Sequence, residues 1–202
     1  SSAPLAPDQW RAFEKLYKIK LLQFYGASEG GWLCGNRHDR RKVGTAGMPA
    51  KHMELAIIDS DGATCAPGME GEITVRGPQT AVATITPDGI YEDRNGFRLT
   101  EPMRCGDLGI MDADGFVTVT GRVKDLIIRG GVNIAPLEID GVVMRHHKIH
   151  EAAAIGIPDD IYGEEVVCYV VLRDNAVLED GELDAYCKTM LPDVKTPKRF
   201  II

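Results

Sequence analysis

Three short stretches of this chain bring together residue types able to handle a phosphorylated, hydroxyl-bearing ligand. In Tyr25-Gly26-Ala27-Ser28-Glu29 an aromatic ring can stack on a base, and a glycine lets backbone approach a ligand closely. The Ser28 hydroxyl can bond a phosphate oxygen, and the Glu29 carboxylate can hold a magnesium ion that bridges phosphates. The same five residues also read as an ordinary turn at a strand end. In Arg104-Cys105-Gly106-Asp107-Leu108-Gly109 a carboxylate stands between two glycines, and one Asp can accept from both hydroxyls of a ribose. Asp is equally a common turn residue. In the stretch from Gly121 to Ile139, Arg122 and Lys124 flank a change of pattern and Gly130-Gly131 follows. Cations there can meet an anionic ligand, and the paired glycines can admit a narrow chain beside the backbone. A plain surface hairpin fits the same residues.

The elements that must position these stretches follow from periodicity and turn signals. Pro7-Asp8 opens a helix whose Trp10, Phe13, Leu16 and Tyr17 share one face. The run 21–25 reads as a short buried strand ending at Gly26, and residues 30–42 read as loop. From about 50 to 123 the pattern is all-β, with strands over 53–58, 72–76, 108–111 and 116–120. Hairpin turns are expected at Asp59-Ser60-Asp61-Gly62 and Asp112-Ala113-Asp114-Gly115. Evenly spaced strands with turn signals suggest a small distorted barrel. After Gly121-Arg122 the order becomes strand 126–128, helix from Pro136 through His146, strands 152–157 and 166–172, and a helix near 183–191. That is a compact α+β unit.

Bulk composition excludes several classes. The chain has 202 residues and a net charge of −7, which argues against general affinity for nucleic acid or an anionic membrane. Five cysteines without CxxC spacing indicate neither a disulfide framework nor a zinc knuckle. No apolar run approaches a membrane span, and a reducing, cytoplasmic setting is expected. Ser1 is not an initiator Met, and the chain stops inside an apolar run at Phe200-Ile201-Ile202, so a piece of a longer protein is expected.

Taken together and in order, these motifs resemble the adenylate-forming superfamily of acyl-CoA synthetases, peptide-synthetase adenylation domains and beetle luciferases. Ser2-Ala3-Pro4-Leu5 is similar to the family's adenine-contacting Gly-Gly-Ala-Pro-Leu, with Ser for the second Gly. Tyr25 to Glu29 resembles Tyr-Gly-x-Thr-Glu with Ser28 for Thr. Arg104 to Leu108 resembles Arg-Thr-Gly-Asp-Leu with Cys105 for Thr. Gly121 to Pro136 resembles the hinge and thiol-tunnel motif, and Pro197-Lys198-Arg199-Phe200 the lead-in to a final catalytic lysine. Residues 79–103 depart from the usual aromatic-rich loop.

The resemblance implies an ATP-dependent acyl-CoA synthetase using Mg2+ and CoA. A carboxylic acid would attack the α-phosphate of ATP to give acyl-AMP, and a thiol would then displace AMP. It implies nucleotide contacts at Ser2, Ala3, Pro4, Tyr25, Gly26, Ala27, Ser28, Asp107, Val119 and Arg122, with Glu29 as the metal-holding catalytic residue. Lys124 would be the hinge, and Gly130, Gly131 and Val132 would flank pantetheine. The implied architecture is an α/β piece (1–45) and a small distorted β-barrel (46–123), together the end of a large adenylation domain. A mobile α+β lid (124–202) follows. The phosphate-cradling loop and the adenylation lysine would lie outside Ser1–Ile202, so this piece alone is expected not to adenylate.

Two other functions stay open at this level: a ligase that loads a carrier-protein pantetheine, and a non-catalytic module that binds nucleotide or a partner. Three smaller features have ordinary readings. His146, His147 and His150 fit an amphipathic helix better than a metal site, and Arg37–Lys42 fits a solvated loop. Cys105 fits a small buried side chain better than a nucleophile.

Overall fold

The computed structural model describes residues 5–81, 83–85, 91–93 and 102–202. The chain divides into two compact units, Ser1–Val119 and Thr120–Ile202, and each is described by itself.

In the first unit, helix α1 (Pro7–Tyr17) starts on a proline and stops where Lys18 turns left-handed, its N–H bonding Glu14 O. Glu14 is the anchor of this end of the unit. It accepts from Trp10 Nε1 and the Leu21 N–H, both at 2.8 Å, and pairs with Arg41. Arg41 also donates to Leu21 O and lies over the Trp10 ring. Both backbone groups of Leu21 are therefore taken by side chains, so the strand expected over 21–25 begins only at Phe24. Strands β1 (Phe24–Ala27), β2 (Gly31–Gly35) and β3 (Met48–Pro49) form one antiparallel sheet. Strand β2 lies inside the stretch read as loop. Its Leu33 and Cys34 are fully buried, and it exists because β1 and β3 pair with it from both sides.

The remaining strands are β4 (Glu54–Ile58), β5 (Glu70–Arg76), β6 (Ala83–Ile85), β7 (Tyr91–Asp93), β8 (Met103–Met111) and β9 (Val117–Arg122). Strands β4-β5-β8-β9 form an open four-stranded sheet, and β6-β7 a separate pair. The expected barrel is not closed among the described residues. Beyond the edge strands only isolated bridges are present among the described residues, Gly47↔Val117 on β9 and Ile58↔Thr64 on β4. Both expected turns are present. Asp59 Oδ1 accepts from the Asp61 and Ala63 amides, and Asp112 Oδ1 from those of Asp114 and Phe116. Ile57, Ile73, Val75, Met103 and Val117 join Leu33 in the core beneath the sheet.

The second unit holds a three-residue 3-10 turn (Val123–Asp125), β10 (Ile127–Arg129), β11 (Val132–Ile134), α2 (Pro136–Val143), β12 (Ile149–Asp159), β13 (Gly163–Leu172), α3 (Glu182–Met190) and β14 (Arg199–Ile201). Its sheet runs β11-β10-β13-β12, with β14 parallel to β13. Ile139 and Val143 of α2, with Leu183 and Cys187 of α3, bury against Ile127, Ile149, Val166 and Cys168. Helix α2 ends at Val143, so His146, expected on the helix, falls in the following turn. It is buried against Tyr186, with ring centroids 4.9 Å apart, and beside His147. Burial holds His146 below the usual histidine range. Among the described residues no three metal-ligating side chains converge, and no helix is long and apolar enough to cross a membrane.

Candidate functional site

Two places collect the chemistry-bearing residues, one in each unit. In the first unit, the β1–β2 hairpin carries Tyr25 to Glu29. Its register slips between Tyr25 and Gly26, so Leu33 is the extra residue of a bulge. A Cβ on Gly26 would stand 2.3 Å from Gly31 O, so the close approach of the two strands admits only glycine here. The tip, Ser28-Glu29-Gly30, is held from outside the hairpin. Gln79 Nε2 donates to Gly30 O and Trp32 O at 2.9 and 2.5 Å, and the Ala81 N–H donates to Glu29 O at 2.6 Å. Ser28 and Glu29 themselves are exposed.

Asp107 reaches the same place from β8. The β5–β8 register pairs Thr74 with Arg104 and Glu72 with Leu108, so Cys105-Gly106-Asp107 bulges out of the ladder. Gly106 has φ +70°, which favours glycine. Glu72 clamps the bulge, accepting from Arg104 Nε at 2.7 Å and from the Gly106 N–H at 3.2 Å. The Tyr25 hydroxyl donates to Asp107 Oδ2 at 2.5 Å across 82 residues of sequence. Tyr25, Ala27 and Val119, three of the expected nucleotide residues, pack with Cys105 on one core cluster. Ser2, Ala3 and Pro4 lie outside the described residues, as do positions 86–90 and 94–101 of the atypical 79–103 stretch.

Burial pushes the Cys105 thiol up to about 11 and the Cys34 thiol up to about 12. Thiols so placed are neutral and poor nucleophiles, although Cys105, expected to be buried, is only half-buried. Glu72, Gln79 and the Tyr25–Asp107 contact were not legible beforehand. Glu72 and Arg104 carried a weak signal, opposite charges on strands that could pair.

In the second unit, Arg122 ends β9 and Lys124 stands exposed in the 3-10 turn. Gly130 and Gly131 form the two-residue turn between β10 and β11, with Arg129 paired to Val132. Their φ values of +58° and +80° are the pair a tight primed turn requires. A Cβ on Gly131 would meet nothing within 4 Å, so open space adjoins this backbone, with Val132 exposed beside it. Arg129 secures the turn from behind. Its guanidinium donates to Val194 O at 2.8 Å and Glu165 Oε2 at 3.0 Å, and lies over the Tyr162 ring. Glu165 is only 3% exposed.

Sequence and structure comparisons meet this geometry from outside. Residues 1–83 match the family model described as AMP-binding enzyme, and residues 138–202 match AMP-binding enzyme C-terminal domain. The chain is 39% identical to the sulfoacetate–CoA ligase of Cupriavidus necator over 99% of its own length and 39% of that protein's. It is 33% identical to the oxalate–CoA ligase of Arabidopsis thaliana over 100% of its length and 39% of that relative. The crystal structure of ATP-bound MatB from Rhodopseudomonas palustris superposes with a TM-score of 0.90 at 30% identity, covering 99% of this chain and 40% of that one. This chain thus spans about two fifths of the length of the curated relatives it matches. The order of the motifs, the two family models and the relatives agree, and the chain belongs to the AMP-binding, adenylate-forming enzyme family.

Proposed function

We propose that this chain is the nucleotide- and thiol-handling part of an ATP-dependent, AMP-forming acyl-CoA synthetase. The observation that carries the reading is the meeting of the Tyr25–Glu29 hairpin with the Asp107 bulge, joined by the Tyr25–Asp107 hydrogen bond. It joins a half-buried carboxylate to the hairpin whose exposed turn carries a hydroxyl and a second carboxylate. A nucleoside phosphate needs that combination: acceptors for ribose hydroxyls at one end, and phosphate and cation ligands at the other.

In the first half-reaction a carboxylate oxygen bonds to the α-phosphorus of ATP while the bond to the bridging oxygen breaks and pyrophosphate leaves. Asp107 accepts from the ribose hydroxyls, Ser28 donates to the α-phosphate, and Tyr25, Gly26, Ala27 and Val119 surround the base. Ser2, Ala3 and Pro4 complete that role in the family's pattern. Glu29 is the carboxylate that would hold Mg2+, and the ion would supply neutralisation of phosphate charge. In the second half-reaction a CoA thiolate attacks the acyl carbon and AMP departs. Gly130, Gly131 and Val132 flank the thiol's path, which the open space at Gly131 favours. Lys124 is the hinge, because a three-residue 3-10 turn between two strands is short enough to absorb a backbone rotation. The carboxylic acid is unassigned.

The test is made on the full-length polypeptide that carries this chain. With a panel of carboxylic acids, ATP and Mg2+, at least one acid should support ATP–pyrophosphate exchange, and adding CoA should yield its thioester. Asp107→Ala should abolish both. Nucleotide binding with no acid-dependent exchange would favour a plain binding module.

A further inference from the structure

An aromatic ring in a nucleotide site acts through its face, yet here the polar edge of Tyr25 is the part that is engaged. Tyr25 sits in β1 opposite Cys34, next to a bulge, and is half-buried against the core on which Ala27 and Cys105 also pack. Its hydroxyl donates to Asp107 Oδ2 at 2.5 Å. Burial, followed by the Asp107 contact, raises the phenol far above its usual range, so it remains a donor at any working pH. The neighbouring Cys105 thiol is also neutral. The hydroxyl also meets that thiol, but its bond to the carboxylate is the charge-assisted one, and such bonds are the strong ones.

The consequence is orientation. The χ2 torsion of an Asp is broad, so a carboxylate can turn freely unless a partner fixes it. Asp107 is fixed at both ends. Glu72 clamps the bulge that carries its backbone, and the Tyr25 hydroxyl grips its carboxylate. We infer that the Tyr25 hydroxyl is a positioning group that aims the Asp107 carboxylate at the ribose, and so sets selectivity for ribose over deoxyribose independently of any stacking by the ring. This rests on the proposed reading of Asp107 as the ribose acceptor. It also links the phosphate-side hairpin to the ribose-side bulge, since one side chain belongs to each.

The experiment compares KM for ATP, 2′-deoxy-ATP and 3′-deoxy-ATP in ATP–pyrophosphate exchange by the full-length protein, its Tyr25→Phe and Asp107→Asn variants, and the double variant. Tyr25→Phe keeps the ring and removes only the donor. It should raise KM for ATP about tenfold while leaving the deoxynucleotide that lacks the recognised hydroxyl nearly unchanged, so that discrimination collapses. The double variant should discriminate no less than Asp107→Asn alone, and KM for the carboxylic acid should stay put. Equal weakening of all three nucleotides by Tyr25→Phe, or no change, would overturn the inference. If Asp107→Asn itself left discrimination intact, the ribose assignment would fall instead.

Discussion

Asp140 offers a perturbation whose sign and size can be worked through. It lies half-buried on α2, its Oδ1 accepting from the Ala154 N–H at 2.6 Å, with Cys168 close enough to feel its charge. Burial pushes its carboxyl up from 3.8 to about 6, and the single N–H offsets this only in part. A carboxyl with a raised folded-state value binds protons more readily folded than unfolded. Its contribution to stability is therefore full below about pH 4, fades as pH rises, and is gone above about pH 6. At about 1.4 kcal/mol per pH unit the interval corresponds to about 3 kcal/mol, and contact with water screens this to about 1–2 kcal/mol. Asp140→Asn keeps an acceptor for Ala154 and removes the charge, so the variant should be the more stable at neutral pH. The buried thiols of Cys168 and Cys187 report the opening of this unit. At pH 7.5 a thiol reagent should label them about 5- to 30-fold more slowly in the variant, and the advantage should shrink toward pH 5. Equal or faster labelling at pH 7.5 would show that the ionised carboxylate is well accommodated and that the argument from burial is wrong.

Other outcomes follow from the same geometry. Gly26→Ala sets a methyl 2.3 Å from Gly31 O and should displace the hairpin tip, lowering ATP–pyrophosphate exchange about 100-fold; normal exchange would show that the strands part without cost. Glu165→Ala removes the carboxylate partner of Arg129, whose guanidinium keeps the Asp193 and Val194 carbonyls, and should destabilise the second unit by about 1.5–3 kcal/mol, read as a fall in its urea midpoint. Gly131→Ala forces a side chain onto φ +80° and should cost about 1–2 kcal/mol; thioester formation should slow while adenylation persists.

What the amino-acid order decided alone is the set of features whose causes are local. The start of α1 at Pro7, the Asp-anchored turns at 59–62 and 112–115, and the Gly130-Gly131 reversal each depend on residues within a few positions of one another, whereas of the expected α1 face only Trp10 is buried and Phe13, Leu16 and Tyr17 are exposed. The motif order likewise identified the family before any coordinate did. Other features needed partners distant in the chain. Residues 31–35 become a strand because β1 and β3 lie beside them, and residues 21–23 do not because Glu14 and Arg41 take the backbone of Leu21. Among the described residues the four-stranded sheet is not closed, because its edge strands find only isolated bridges there, which no count of strands reveals. The pairing of Tyr25 with Asp107 and of Arg129 with Glu165 spans 82 and 36 residues. A hydrogen bond or ion pair at that separation is chosen by the packing of the sheets that carry its ends, and only the folded chain settles which polar side chains meet.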